Sequence, residues 1–521
     1  LKLGVVVACF LVLAVCLPVV TLSRFGAEAV DGFHVHNLNT TMNYTTIQEA
    51  IDANETLDGH VVLVDAGTYF ENVVVNKSLS LFGESRETTI IDGEGEGIVV
   101  NVTANGVVLA NFTVRNSGAY YPNSGICLCR SNFSSVTDNV VEQGNYGVLL
   151  VSSNNATIIG NEIVDNVSHG VVVGDSCNNT VDWNNLAGND AEAVNLFRSS
   201  NNLLSRNNFS DNAAAVWMDE AHFNVFSNNH VRNCTVAYLP VVAIVDSVGN
   251  CFVGNEIDNL DGSSAGFALY GSNETVIVEN SIARCGSGFY LSSSNHNRIY
   301  HNNVVNVAYE AYVYEVSTEN VWDDGYPSGG NYWSYYAGAD VYQGSGQNVS
   351  GSDGIGDINY TIDVDNVDRY PLMGMFNVFN VTYYTPDLEP HFCNVTVISN
   401  STISAFDPQV WVEHPEVIYL IFNVTGADGS GGFCRVSIPT AMMNATYHVS
   451  VNGTEIPFSL LECSDSSMSY LYFSYAHSTV RVVIVSEFPT FLVLPLFFAW
   501  TLFAAVIRRR KNKSQITGLT I

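Results

Sequence analysis

Three sets of side chains in this sequence have the types and spacing to do chemistry. In SDGIGDINYTIDVDNVDRYPLM, 352–373, the carboxylates Asp353, Asp357, Asp363, Asp365 and Asp368 offer hard oxygen donors of the kind that hold Ca²⁺. Their spacing is not that of an EF-hand loop, and turn-forming aspartates in a cap account for them as well. Near the start, His34-Val35-His36 places two imidazoles on one face of a strand. Aromatic residues form the third set. Trp322, Tyr326 and Trp333 precede the aspartates, and Tyr120, Tyr121 and Tyr238 lie in insertions further upstream. Their rings combine an apolar body with a polar tip, which suits sugar rings, although a lid of aromatic residues over a core explains the first three equally well.

The elements that must position these residues are legible as a repeat. A small residue leads, 14 positions on, to an asparagine: Gly97 to Asn111, Gly125 to Asn139, Gly147 to Asn161, Gly170 to Asn184, Ala193 to Asn207, Ala215 to Asn229, Val241 to Asn255, Gly266 to Asn280 and Gly288 to Asn302. Only Val241 is not small, and Ala311 opens a tenth, unfinished turn. Anchors recur every 22 to 28 residues, the period of a solenoid. Apolar residues stand one and three positions after each anchor, from Ile98 and Val100 to Tyr312 and Tyr314, which is the period of a strand with one face inward. Others stand three before each asparagine (Val108 to Ile299) and two after it (Thr113 to Val304). Three short strands per turn predict a parallel β-helix of about ten coils, on the order of 50 Å long at the strand spacing. The asparagines read as structural: they tolerate a left-handed corner, and their stacked amides form a ladder. Insertions at 117–124, 233–240 and 259–265 all precede an anchor, so they project on one face.

Composition narrows the partners. The 521 residues carry a net charge of −32, yet only 13% are charged. Between the two ends of the chain Lys77 is the only lysine. Such a surface repels nucleic acid and anionic lipid, and suits divalent cations or a neutral glycan. Residues 1–29 read as a secretory signal, with an uncleaved anchor as the alternative. Residues 488–507 read as a membrane span, and the basic tail 508–521 places the C-terminus in the cytoplasm. Everything between is then outside the cell. Sequons agree, with Asn39, Asn54, Asn76, Asn348, Asn394, Asn423 and Asn452 as candidate glycosylation sites. The cysteines show no disulfide framework, although a bridge among Cys393, Cys434 and Cys463 is open. The remaining divisions are a cap with entry coils (30–96), the repeats (97–315), a closing segment (316–376) and a stalk of alternating strands (377–487) that reads as a small antiparallel β-sandwich.

Catalysis finds no constellation. A uronate lyase needs cation-binding acids beside an Arg or Lys base, and a hydrolase needs paired carboxylates. Arg115, Arg130, Arg198, Arg206, Arg232, Arg284 and Arg298 form no column with matching aspartates. Asp219, Glu220 and His222 are the most polar outward cluster.

VVLVDAGTYFENVVVNKSLSLFGE, 61–84, with TTIIDGEG, 88–95, resembles the entry segment of pectin-lyase-like folds, particularly pectin methylesterases and their non-enzymatic relatives. The repeat, with WDDGYPSGGNYWSYY, 322–336, and the aspartate-rich stretch at 352–373, resembles archaeal β-helices of the NosD type, grouped with carbohydrate-binding proteins and sugar hydrolases. SEFPTF and the basic tail resemble PEF-type sorting signals of archaeal surface proteins, with Ser486 where proline is usual. The resemblance implies a right-handed helix and, through the family's name, copper, for which His34 and His36 are the imidazoles available. The expectation is an anchored surface protein that binds surface polysaccharide or envelope glycan and is not an enzyme. A polysaccharide lyase or hydrolase and a metal-delivery accessory protein are the alternatives.

Overall fold

The computed structural model describes residues 34–486, apart from 237–238, 260–263, 385–388, 411–417 and 444–445. The signal 1–29, the span 488–507, the tail 508–521 and Tyr238 lie outside the described residues. Among the described residues no helix is long and apolar enough to cross a membrane.

The chain is all-β. Sheets of 13, 12 and 11 strands wind together, each strand pairing with its counterpart one coil on. The pairing is parallel, apart from the antiparallel strands Val35–Asn37 and Met42–Tyr44 at the open end. The coils number about eleven rather than ten, because the entry strands stack in register with the repeats: Val61 pairs Ser80, which pairs Val108. The anchors are small because the corner backbone runs against the core. A Cβ on Gly147 would stand 2.4 Å from Ile163 Cγ2 and 2.5 Å from the Gly170 carbonyl.

The register departs from the sequence pattern at both ends of the repeat. Val100 and Val102, not Ile98 and Val100, pair with Ile126 and Leu128. Leu109 and Val114, not Val108 and Thr113, pair with Val136 and Val141 and are fully buried. At the far end Ala311 and Val313 pair with Phe289 and Leu291. Tyr312 and Tyr314 therefore face outward, 49% and 51% exposed. A slip of one residue inverts the faces of a strand, so Glu310, not Ala311, is the tenth anchor.

The asparagine ladder is present with different ends. From Asn139 through Asn161, Asn184, Asn207, Asn229, Asn255, Asn280 and Asn302, each backbone N–H donates to the next coil's Asn Oδ1 at 2.9–3.0 Å. The column ends on Asn331, which the spacing missed. Asn111 is outside it: Phe112 donates to Asn139 Oδ1 in that place. From Asn139 to Asn302 the left-handed backbone falls on the residue before the ladder asparagine (Asp138, Gly160, Trp183, Arg206, Asn228, Gly254, Glu279 and His301), not on the asparagine itself. Further columns run through Asn179, Asn202, Asn224 and Asn250, and through Asn166, Asn189 and Asn212. Asn166 heads a sequon, but its amide donates to Asn189 Oδ1 inside the wall, so it is no glycan acceptor.

The core is one continuous column of aliphatic side chains that turns aromatic toward its C-terminal end. Phe209, Phe226, Phe252, Phe267 and Phe289 follow one another at ring separations of 5.3 to 6.1 Å. Each such side chain contributes roughly 1.5–3 kcal/mol on burial. At the open end the helix Ile47–Asp52 buries Ile47, Ala50 and Ile51 over the first coil, and Thr46 caps it by accepting from the Glu49 N–H. At the other end Trp322 and Trp333 close the column.

Beyond Met375 the chain forms two five-stranded antiparallel sheets around a second apolar core. Cys393, Cys434 and Cys463 are all free thiols, so the open disulfide is not made. This unit docks on the last coils. The His301 ring stacks on Phe376 at 4.1 Å, and Asn303 exchanges two hydrogen bonds with the Phe376 backbone. Burial pushes His301 down from 6.5 to about 4; Asp324 and the Ser328 carbonyl oppose that shift, and Arg435 adds to it. The unfolded chain therefore binds a proton between these values that the folded chain refuses. Stability from His301 is complete above pH 6.5 and is lost as pH falls toward 4, about 3 kcal/mol at most. Urea unfolding of His301→Phe should lack that part of the acid loss.

Candidate functional site

The five aspartates of the closing segment are not gathered. Asp353 and Asp368 are fully buried. Asp353 accepts the Ile355 N–H, and Asp357 those of Val341 and Tyr342. Asp363 accepts from Asp365 and Asn366, and Asp365 is exposed. Asp368 accepts Asn331 N–H, Trp333 Nε1–H and Tyr370 N–H, and burial raises its carboxyl to about 7. These side chains replace missing backbone partners in an irregular cap. Among the described residues no group of three or more His, Cys, Asp or Glu could hold a metal ion.

The other candidates divide by burial. His36 is held on both ring nitrogens, 2.8 Å from Asn43 Oδ1 and 2.9 Å from Asp65 Oδ2. Burial opposes its protonation, but those two bonds and the Asp65 charge outweigh it and raise its pKa. His34 Nδ1 lies 4.0 Å from the same carboxylate oxygen. Trp322 and Trp333 are interior plugs, and half-buried Tyr326 faces Arg435, so none of the three presents a free ring to a ligand. Tyr120 and Tyr121, by contrast, are 82% and 68% exposed. The arginines are mostly engaged across coils: Arg115 with Asp92, Arg198 with Asp175, Arg206 with Asp182, Arg284 with Asp258 and Arg298 with Asp324. His222 Nδ1 accepts the Val248 N–H.

What the structure does assemble lies on the outer face of the 11-stranded sheet, beneath the first insertion. Tyr146, His169 and Glu192 each immediately precede an anchor, so they occupy one position in successive coils. Tyr121 meets Tyr146 edge-on at 6.1 Å, and Tyr146 stacks on His169 at 5.5 Å. His169 Nε2 is 2.8 Å from Glu192 Oε2, and Ser168 Oγ is 2.8 Å from His169 Nδ1. Burial raises the Glu192 carboxyl, but the bond and charge of His169 outweigh it and hold it below the usual range. Asn195 and Trp217 follow on the same face, and Tyr270, Tyr290 and Tyr312 stack toward its far end at 5.5 and 5.7 Å. No strand of this sheet carries a Lys or Arg. The face offers rings beside fixed hydroxyl, amide and carboxylate groups, and the guanidinium at its border, that of Arg198 over Phe197, is already paired with Asp175. Reading the column before the anchors, rather than the insertions alone, would have found Tyr146, His169 and Glu192.

Residues 82–261 and 259–338 match the family described as periplasmic copper-binding protein (NosD). The β-helix of this chain is a NosD-like β-helix. The chain is also 36% identical, over 126 residues, to a cell surface glycoprotein of Methanothermus fervidus, a match covering 24% of this chain and 20% of that relative. It thus spans about a fifth of that relative's length. Among solved structures, the A-module of mannuronan C-5 epimerase AlgE6 from Azotobacter vinelandii matches with 15% identity and a TM-score of 0.41, covering 53% of this chain and 93% of that one. A mannuronic acid specific polysaccharide family 6 lyase from human gut microbiota matches with 13% identity and a TM-score of 0.43, covering 53% and 76%. Neither bears on what this NosD-like chain does. The copper of the family's name does not fit the described donors. Both His36 ring nitrogens are engaged, by Asn43 and Asp65, and the Cys393 thiol at 3.5 Å from Met442 Sδ is a single soft pair in the other unit.

Proposed function

We propose that this chain is a cell-surface protein whose β-helix binds a neutral surface polysaccharide or envelope glycan, without turning it over. The observation that carries the reading is the Tyr121–Tyr146–His169–Glu192 cluster on a sheet whose strands carry no Lys or Arg. Its rings supply apolar platforms, and Ser168, His169 and Glu192 form a hydrogen-bonded row able to fix sugar hydroxyls. The net charge of −32 disfavours polyanionic chains, which narrows the class to uncharged sugars. The surface location is supported by the relative's name, by the sequons, and by the signal and anchor read at the two ends of the chain.

A glycan array followed by calorimetry on the full chain tests this. Neutral oligosaccharides should bind, and Tyr146→Ala should weaken them about tenfold, the loss of one ring contact of ~1.4 kcal/mol. Tyr342→Ala, on an exposed tyrosine of the closing segment, should leave binding unchanged. Release of shortened product, or binding confined to polyuronates, would overturn the reading.

A further inference from the structure

Between the β-helix and the first two strands of the antiparallel unit runs a cleft of about 720 Å³, within the size range of ligand pockets. Its rod side is lined by Arg206, Asn228, Glu256 and Glu279, and its other side by the strand that starts at Met375, together with Asn394. Asn380 and Asn394 are direct cross-strand partners, and both are exposed. Each heads a sequon, Asn380-Val-Thr382 and Asn394-Val-Thr396, with the threonine two positions on and therefore on the same strand face as its asparagine. Neither carboxamide has a hydrogen-bond partner among the described residues. Two other sequon residues differ: Asn166 is locked in its ladder in the β-helix wall, and Asn400, in the antiparallel unit, spends both ends on Gly431 and Phe433.

We propose that the Asn380–Asn394 pair carries one N-linked glycan, and that this glycan lies in the cleft and braces the antiparallel unit against the rod. The two side chains stand opposite each other on neighbouring strands, so the cleft admits one glycan and either asparagine presents it to the same space. The step joins the asparagine Nδ2 to the anomeric carbon of an oligosaccharide carried on a polyprenyl phosphate. The C–N bond forms, the anomeric C–O bond to phosphate breaks, the lipid phosphate leaves, and the amide proton passes to a base of the transferase. Nothing is oxidised or reduced. A second observation points to a ligand rich in hydroxyl and amide groups. Glu279 lines the cleft half-buried, with no hydrogen-bond partner among the described residues. Burial raises its pKa, as befits a carboxyl that lacks a donor. Sugar hydroxyls in the cleft would supply one.

The test compares full-length protein from cells that N-glycosylate their surface proteins, and demonstrably modify the exposed Asn54, with the Asn380→Gln/Asn394→Gln variant from the same cells. Glycopeptide mass spectrometry should find a glycan on Asn380 or Asn394. The variant should show about tenfold faster amide exchange over 225–228 and 253–256, the rod strands beneath the cleft, with exchange over 157–159 unchanged. Unmodified Asn380 and Asn394 beside a modified Asn54 would overturn the proposal. So would a glycan whose removal leaves exchange along the cleft unchanged, since it would then point into solvent. Neither readout involves the polysaccharide-binding face.

Discussion

Asn184→Ala is expected to destabilise the β-helix by about 3 kcal/mol, while Asn208→Ala, one coil on and facing solvent, should change it by less than ~0.5 kcal/mol. Asn184 Oδ1 accepts from the Asn161 N–H at 2.9 Å and from Asn161 Nδ2 at 3.0 Å. Its own Nδ2 donates to the Ile158 carbonyl at 2.7 Å and to Asn207 Oδ1 at 3.0 Å. Alanine removes all four bonds and leaves the Asn161 N–H buried without an acceptor, which by itself costs roughly 1–3 kcal/mol. Asn208 donates only to Asn185 Oδ1 and is exposed. Asn184→Asp discriminates further. A carboxylate still accepts, but it can no longer donate to Ile158 O, and it sets a charge against Asn207 Oδ1. It should therefore fall at least as far as alanine at neutral pH and recover as the carboxyl protonates. Urea unfolding of the three variants checks the order. Equal stability of Asn184→Ala and Asn208→Ala would mean that the stacked amides contribute nothing beyond the sheets.

The same residues show what the sequence could and could not say. A buried strand writes its inward face at every second position. The repeat from Gly125 to Asn302 was therefore legible almost residue by residue, and Val136, Ile158, Val181 and Leu204 all sit at 0% exposure. The pattern misled where a strand carries apolar residues on both faces. Ile98-Val99-Val100 and Tyr312-Val313-Tyr314 satisfy either register, and only the pairing with the next coil decides. The closing segment misled for a different reason. Aspartates that bind a cation and aspartates that satisfy backbone N–H groups look alike in sequence. Asp353, Asp357 and Asp368 prove to do the latter. Trp322 and Trp333 were ambiguous between lid and ligand platform until their burial was seen, since either role selects a large ring. The Tyr146–His169–Glu192 column is not legible in the sequence because its members differ in type from coil to coil. Their juxtaposition exists only once the coils stack.

The antiparallel unit should separate from the β-helix when Arg435 is replaced by methionine. Arg435 rises from the strand Gly431–Pro439 and is 1% exposed. Its guanidinium crosses the junction, donating from Nη1 to the Asp353 carbonyl at 2.6 Å and from Nη2 to the Pro327 carbonyl at 2.5 Å, with Asp353 Oδ2 3.9 Å away. Tyr326 and Tyr470 flank it at 5.9 and 5.1 Å. Removing one member of a buried ion pair typically costs 3–5 kcal/mol, because the other charge stays uncompensated. Here the stranded charge is Asp353. Burial already raises its pKa, with Arg435 the chief opposing influence. Loss of the guanidinium raises that pKa further. A carboxyl whose folded pKa exceeds its unfolded value of 3.8 loses stability as pH climbs through the folded value. Arg435→Met should therefore be far more damaging at pH 8 than at pH 4.5, and Arg435→Met/Asp353→Asn should recover most of the loss at pH 8. Limited proteolysis across the junction, followed over that pH range, reads the effect directly, because the β-helix keeps its own core and should survive as a fragment. A single variant cleaved no faster than wild type at pH 8 would show instead that the His301–Phe376 stack and the apolar contacts of Ile355, Leu372 and Ile398 hold the two units together without the ion pair.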